Sequence, residues 1–222
     1  MTPVPIPAPI RLSADGHELA GLVGALPSPS GGRTLLGITG APGAGKSTLA
    51  AHVARLNGAT VVPMDGFHLA DVELVRRGLR DRKGAPETFD GWGYAALLAR
   101  LHEEREHDVL APAFERDLEQ PLAGAIAVPP EATFVVTEGN YLLLDEPPWR
   151  AVRARLDAVW HVTTDDAVRL PRLVARHVAF GKDPERARAW VESVDEPNAR
   201  AVEAARARAD LVLDLTDWVP GG

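Results

Sequence analysis

The chain has 222 residues, 45% of them hydrophobic and 25% charged, which fits one globular α/β domain with room for a small lid but not for a second full domain. A net charge of −7 gives no electrostatic ground for non-specific nucleic-acid binding, and the absence of cysteine excludes disulfides and thiolate metal sites. No apolar run approaches the ~20 residues of a membrane span, and the start lacks the charged-then-apolar order of a signal peptide, so a cytoplasmic protein that binds neither membrane nor nucleic acid is expected.

Residues 1–32 read as a proline-rich extension ahead of a single domain spanning 33–222. The alternating prolines of Met1 to Pro9 favour extended backbone, Leu12 to Leu26 is expected as one helix packed on the outside, and Pro27 to Gly32 reads as a loop. Thr34 to Thr39 is a short apolar strand. It runs into Gly40-Ala41-Pro42-Gly43-Ala44-Gly45-Lys46-Ser47-Thr48, which completes the pattern G-x-x-x-x-G-K-[ST], and Leu49, Val53 and Leu56 then recur at helical spacing. Glycines at such a strand-to-helix turn let successive backbone N–H groups face phosphate oxygens, where the helix start adds partial positive charge. Lys46 supplies a full charge for the β- and γ-phosphates, and the Ser47 hydroxyl suits Mg²⁺. The motif therefore reads as a triphosphate cradle.

Ala59 to Pro63 is a β-branched run that ends at Met64-Asp65-Gly66-Phe67-His68. Ligands of open parallel sheets bind beyond the carboxyl ends of the strands, so Asp65 is expected to face the phosphate loop. Its carboxylate has two uses, orienting or deprotonating a substrate hydroxyl or capping a helix from Phe67 to Arg77, and its place at the strand end favours the first. Gly78 to Trp92 reads as irregular and charged. Tyr94, Leu97, Leu98 and Leu101 mark an amphipathic helix ending near His107, and Ala111 to Asp117 lies in a loop-rich substrate region, unlike a core strand.

Thr133 to Gly139 is the clearest buried strand, and it ends on Glu138, which fills the position of an acid beside Mg²⁺. Ala158 to Val162 and Ala209 to Leu213 are two further strands, with Asp165 to Phe180 and Asp183 to Arg208 largely helical between them, an alternation that implies a mostly parallel sheet covered on both faces. Arg169, Arg172 and Arg176 recur at i, i+3 and i+7 and so share one helix face, either solvated or turned to phosphate. Pro171 is expected to kink that helix or delay its start. His68, His161 and His177 lack a second ligand at metal-binding spacing; His68 alone is kept, as a substrate neighbour. Asn198 reads as a turn or helix-start residue, and the five tryptophans as packing groups.

Taken in order, Gly40 to Thr48, Met64 to His68, Thr88-Phe89-Asp90, Glu138-Gly139-Asn140-Tyr141 and the arginine helix resemble the uridine kinase, phosphoribulokinase and bacterial pantothenate kinase group of P-loop kinases. The resemblance covers about residues 33 to 215 and is greatest to the bacterial nucleoside/nucleotide kinase-like branch, which includes proteins described as fructose-transport-associated kinases. It implies the P-loop NTPase fold, three α/β/α layers with a mostly parallel central sheet and a helical lid at about 165–185. It also implies ATP- and Mg²⁺-dependent phosphorylation of a hydroxyl on a small metabolite that is nucleoside-, sugar- or pantothenate-like.

Carried over by residue, Asp65, Lys46, Arg172 and Arg176 would be catalytic, and Gly40 to Thr48 with Arg169 and Arg172 would hold the nucleotide. Ser47 and Glu138 would hold the metal. The acceptor would meet Asp65, Phe67, His68, Phe89, Asp90, Arg116, Glu138, Asn140 and Tyr141. Uridine kinases typically carry Asp-x-Phe-Tyr where this chain has Asp65-Gly66-Phe67-His68, and the distinctive remainder of the pantothenate kinase acceptor site is not evident, so the acceptor stays open. A homodimer is compatible with the sequence, which does not fix the oligomeric state. The alternative reading is a nucleotide-dependent switch or chaperone-like NTPase acting on a protein partner, which would need an element orienting attacking water that the sequence does not offer.

Overall fold

The computed structural model describes residues 7–27 and 32–220; the first six residues of the proline-rich start and residues 28–31 of the expected loop lie outside it. Six parallel strands form the central sheet in the order β1-β8-β7-β2-β6-β3: β1 Ile10–Arg11, β2 Thr34–Gly40, β3 Thr60–Pro63, β6 Phe134–Glu138, β7 Ala158–Thr163 and β8 Leu211–Asp214. β2 is buried along its whole length because helices cover both of its faces. The pleat sends alternate residues to opposite sides. Leu35 and Val135 enter the core beneath α4 (Gly91–Glu103) and α5 (Pro147–Arg153), while Leu36, Ile38 and Val136 enter the core shared with α2 (Lys46–Asn57) and α8 (Glu196–Ala204). The result is the three-layer P-loop arrangement.

Connections leave the central strand in opposite directions. From β2 the chain crosses through α2 to β3 at one edge, whereas β6 leads through α5 to β7 on the far side of β2. The crevice opens at the carboxyl ends of β2, β6 and β3, where such a reversal leaves room for a ligand. Over it lies the helical lid: α6 (Asp166–Ala179), α7 (Pro184–Trp190) and a π-helical turn, Val191–Asp195, that runs directly into α8. α6 starts at Asp166 and continues through Pro171, where the expected delay does not occur; Asp165 caps it through Ala167 N (2.8 Å), and Ala167, whose carbonyl Pro171 leaves without its helical donor, is an exposed residue.

Other departures from the pattern have local causes. The segment before residue 33 adds strand β1 to the sheet and a short helix α1 (Glu18–Gly24), with Leu12 and Leu19 fully buried in the core shared with α2. Residues 64–67 form a tight 3₁₀ turn, so the helix expected from Phe67 begins later, as α3 (Asp71–Arg77). Val109–Glu115 (β4) and Gln120–Val128 (β5) pair antiparallel as a separate hairpin with a register shift between Ala111 and Ala113. That hairpin packs on the Asp65 turn and brings Arg116, at its tip, over the crevice. No described helix is long and apolar enough to cross a membrane.

Candidate active site

The phosphate loop is shaped by close backbone approaches. Gly40 has φ 156°, and a Cβ there would lie 2.3 Å from the Val162 carbonyl oxygen of β7, so only glycine fits. Gly45 takes φ 93° immediately before α2 and turns the chain so that the helix N-terminus points into the loop. Two side chains tie the loop down. Thr164 Oγ1 donates to the Ala44 carbonyl (3.0 Å), and the buried Arg169 donates to the Pro42 carbonyl (3.1 Å) while pairing with Asp166 (2.8 Å) and Glu196 (2.6 Å).

Lys46 is buried, and its Nζ donates back to Ala41 O (3.1 Å) across the loop. Burial lowers its pKa to about 8, against the pull of Glu138 and Asp65. Glu138, at the end of β6, is also buried and accepts from Ser47 Oγ (3.1 Å). Burial first, and then the neighbouring Asp65, push its carboxyl above the ordinary range. The hard oxygens of Ser47 and Glu138, in mutual contact next to Lys46, fit a magnesium ion that completes its shell with phosphate and water.

Asp65 reaches the crevice from the turn after β3. Its carboxylate caps no helix and makes no hydrogen bond among the described residues, whereas its carbonyl accepts from His68 Nδ1 (2.8 Å). Burial lowers the His68 pKa, which favours the neutral ring, and with Nδ1 donating to the Asp65 carbonyl the neutral ring presents Nε2 as an acceptor. Phe89 (3.9 Å between ring centroids) and Phe114 (4.8 Å) hold the imidazole in place. On the opposite wall, Thr39 Oγ1 donates to the Asn140 carbonyl (2.9 Å) and fixes the chain just beyond Glu138.

Two cavities meet here. The larger, about 580 Å³, is lined by Gly43 to Thr48, by Arg172, Leu173 and Phe180 of the lid side, and by Leu215 and Trp218 to Pro220. The smaller, about 200 Å³, is lined by Asp65, His68, Phe89, Glu138 and Asn140 together with Lys83, Trp190, Asp195 and Asn198. Lys46, Ser47, Arg116 and Arg176 border both. A triphosphate on the loop would therefore end where the second cavity begins.

Most of the residues singled out in the sequence line one cavity or the other; Gly40 and Ala41, where the loop leaves β2, line neither, and nor do four side chains. Asp90 is exposed and caps α4 through Gly93 N (2.8 Å); Phe67 packs on Tyr94; and Tyr141 is buried, with its hydroxyl donating to Gly84 O (2.5 Å). Arg169 turns inward to brace the loop, leaving Arg172 and Arg176 facing the larger cavity. Conversely, Lys83 fell in a stretch that reads as irregular. Trp190, Asp195 and Asn198 straddle the π turn, whose extra residue breaks the period a regular helix would show.

No model of a known protein family matches the chain. An uncharacterized Escherichia coli protein, YggC, is 33% identical over 192 residues, covering 83% of this chain and 79% of that protein. A Schizosaccharomyces pombe protein named "putative uridine kinase" is 31% identical over 194 residues, covering 82% and 83%. Among solved structures, a "putative fructose transport system kinase" from Silicibacter sp. TM1040 superposes with a TM-score of 0.79 at 42% identity, over 87% of this chain and 96% of that one. Relatives of this identity and coverage show the family: the chain belongs to the uridine kinase, phosphoribulokinase and bacterial pantothenate kinase group of P-loop small-molecule kinases, in the fructose-transport-kinase-like branch.

Proposed function

We propose that the protein transfers the γ-phosphoryl group of ATP, with Mg²⁺, to a hydroxyl of a small metabolite bound in the smaller cavity. The observation that carries this reading is the junction of the two cavities at Lys46, Ser47, Arg116 and Arg176, with the Asp65 carboxylate, unbonded among the described residues, on the acceptor side. A nucleotide switch needs no second cavity there.

In this mechanism Asp65 orients the acceptor hydroxyl and takes its proton as the oxygen attacks the γ-phosphorus. The bond to the β,γ-bridging oxygen breaks in line, and the leaving oxygen keeps the electron pair as ADP departs. Lys46, Arg172 and Arg176 offset the charge on the phosphates, and the lid excludes water so that transfer outruns hydrolysis. Ser47 and Glu138 would hold the metal, which would supply charge neutralisation to the phosphates when bound. Arg169 acts at one remove by keeping the Pro42 segment of the loop in place.

Acceptor-dependent ADP release, measured with ATP and Mg²⁺ over a metabolite library, tests the proposal. The reading predicts release above the no-acceptor background for at least one small alcohol, lost in Asp65→Asn. Uniform background release across the library would favour the switch reading instead.

A further inference from the structure

Within the kinase reading just given, we propose that the acceptor is a neutral polyhydroxylated compound of monosaccharide size, whose hydroxyls away from the reacting one are read by Asp195 and Asn198. The first ground is where the charges lie. Lys46, Arg116 and Arg176 border both cavities, and in this proposal all three, Arg116 included, serve the phosphoryl group being transferred rather than the rest of the acceptor. Beyond them the remaining cation on the acceptor wall is Lys83, whose ammonium is already paired with Asp71 (2.8 Å) and donates to Glu119 O (2.5 Å). The same wall carries the carboxylates of Asp65 and Asp195. An acceptor bearing a carboxylate or phosphate would meet these acids with no unpaired cation, beyond the three given to the phosphoryl group, to receive it among the described residues.

The second ground is unsatisfied hydrogen-bonding capacity. Asp195 is 8% exposed, and its Oδ2 accepts from His177 Nε2 (2.7 Å), which fixes the carboxylate while Oδ1 has no partner among the described residues. Asn198, three residues on and therefore on the same face, makes no side-chain hydrogen bond among them. One group that only accepts, beside another that both donates and accepts, matches adjacent hydroxyls, each of which does both. Trp190 and Phe89 offer apolar surface to the C–H groups of the same ligand. The π turn at Val191–Asp195 is what brings this pair to the cavity: one extra residue rotates everything after it by about 100° relative to an uninterrupted α-helix.

Size is the third ground. A cavity of about 200 Å³ lies below the roughly 300–1,000 Å³ of sites for drug-sized ligands. That suits a monosaccharide or sugar alcohol and is tight for a whole nucleoside.

The test compares four acceptor classes with ATP and Mg²⁺: neutral monosaccharides and sugar alcohols, nucleosides, hydroxy acids including pantothenate and glycerate, and sugar monophosphates. We expect kcat/KM for the best neutral polyol to exceed that of every anionic acceptor at least about tenfold. Asn198→Ala should raise the KM for that polyol about 10- to 100-fold while the KM for ATP moves less than about threefold. A hydroxy acid or sugar phosphate as best acceptor overturns the charge argument, and a nucleoside overturns the size argument; either leaves the kinase reading standing. An Asn198→Ala enzyme with unchanged acceptor KM, or with both KM values raised alike, overturns the role given to the π-turn pair. ADP release at background for all four classes refutes the kinase reading and this proposal with it.

Discussion

Replacing Arg169 with Met keeps most of the buried stem and removes the guanidinium, which separates a brace from a phosphate ligand. In the wild type that head holds the Pro42 carbonyl and the carboxylates of Asp166 and Glu196 at once, and Arg169 is 4% exposed. Breaking a fully buried pair costs about 3–5 kcal/mol. Here the Glu196 side chain is 25% exposed and that of Asp166 67%, so water recovers part of the loss and about 2–3 kcal/mol remains. For a chain of this length that lowers the melting temperature by roughly 5–10 °C. Nucleotide affinity falls as well, because the loop loses its tether. Arg172→Met is the control: exposed and facing the larger cavity, it should leave the melting temperature within about 1 °C while kcat drops about 100- to 1,000-fold. Scanning fluorimetry and calorimetric titration with a non-hydrolysable ATP analogue read both effects. An Arg169→Met protein that melts with the wild type and loses only kcat would refute the reasoning and return Arg169 to the phosphates.

Asp65→Asn keeps shape and removes the base, so kcat should fall about 100- to 10,000-fold with nucleotide affinity nearly intact; near-normal turnover contradicts the role. Lys46→Ala should lower both nucleotide affinity and turnover, which titration calorimetry checks. The wild-type lysine also sets a pH dependence: with a free-state pKa of about 8, roughly nine-tenths is neutral at pH 9, so binding a triphosphate there must take up a proton and affinity should fall about tenfold between pH 7 and pH 9. Proton uptake appears as a dependence of the binding enthalpy on the buffer's ionisation enthalpy. On the stability side the sign is opposite: burying the charged lysine destabilises the free protein below about pH 8, and this penalty fades as pH rises toward the ordinary lysine value near 10.4. Finally, Leu19→Ala should cost about 2–4 kcal/mol by the cavity it leaves, because Leu19 is fully buried in the core that also holds α2; an unchanged melting temperature would show that the segment before residue 33 is dispensable.

The phosphate loop and the carboxylates at the strand ends were readable because each is set by local chemistry: a fixed glycine pattern after an apolar strand, and an acid closing a buried run. The parallel sheet followed from the alternation of strand and helix. Other features depend on contacts that the sequence does not show. Arg169 and Arg172 share a helix face with Arg176 in projection, yet the loop's Pro42 carbonyl and Glu196, distant in sequence, turn one inward and leave the other free. Ala111 to Asp117 reads as a loop because it mixes an aromatic with charges and joins no strand of the central sheet; its pairing with Gln120–Val128, its packing on the Asp65 turn and the burial of Val109, Ala111 and Val128 in the core hold it as a strand. Asp90 looked like a substrate group from its place in the family pattern, while its geometry is that of a helix cap. The π turn leaves no compositional mark, so the groups it delivers, Asp195 and Asn198, could not be placed in the cavity from spacing alone.

The most direct test of phosphoryl transfer at the cavity junction is to identify where the phosphorus goes. In ³¹P NMR of the protein with ATP, Mg²⁺ and the best acceptor from the panel, the account predicts a phosphomonoester resonance growing in step with ADP, absent without acceptor and absent with Asp65→Asn. Inorganic phosphate as the sole product, at a rate indifferent to any acceptor, would contradict it.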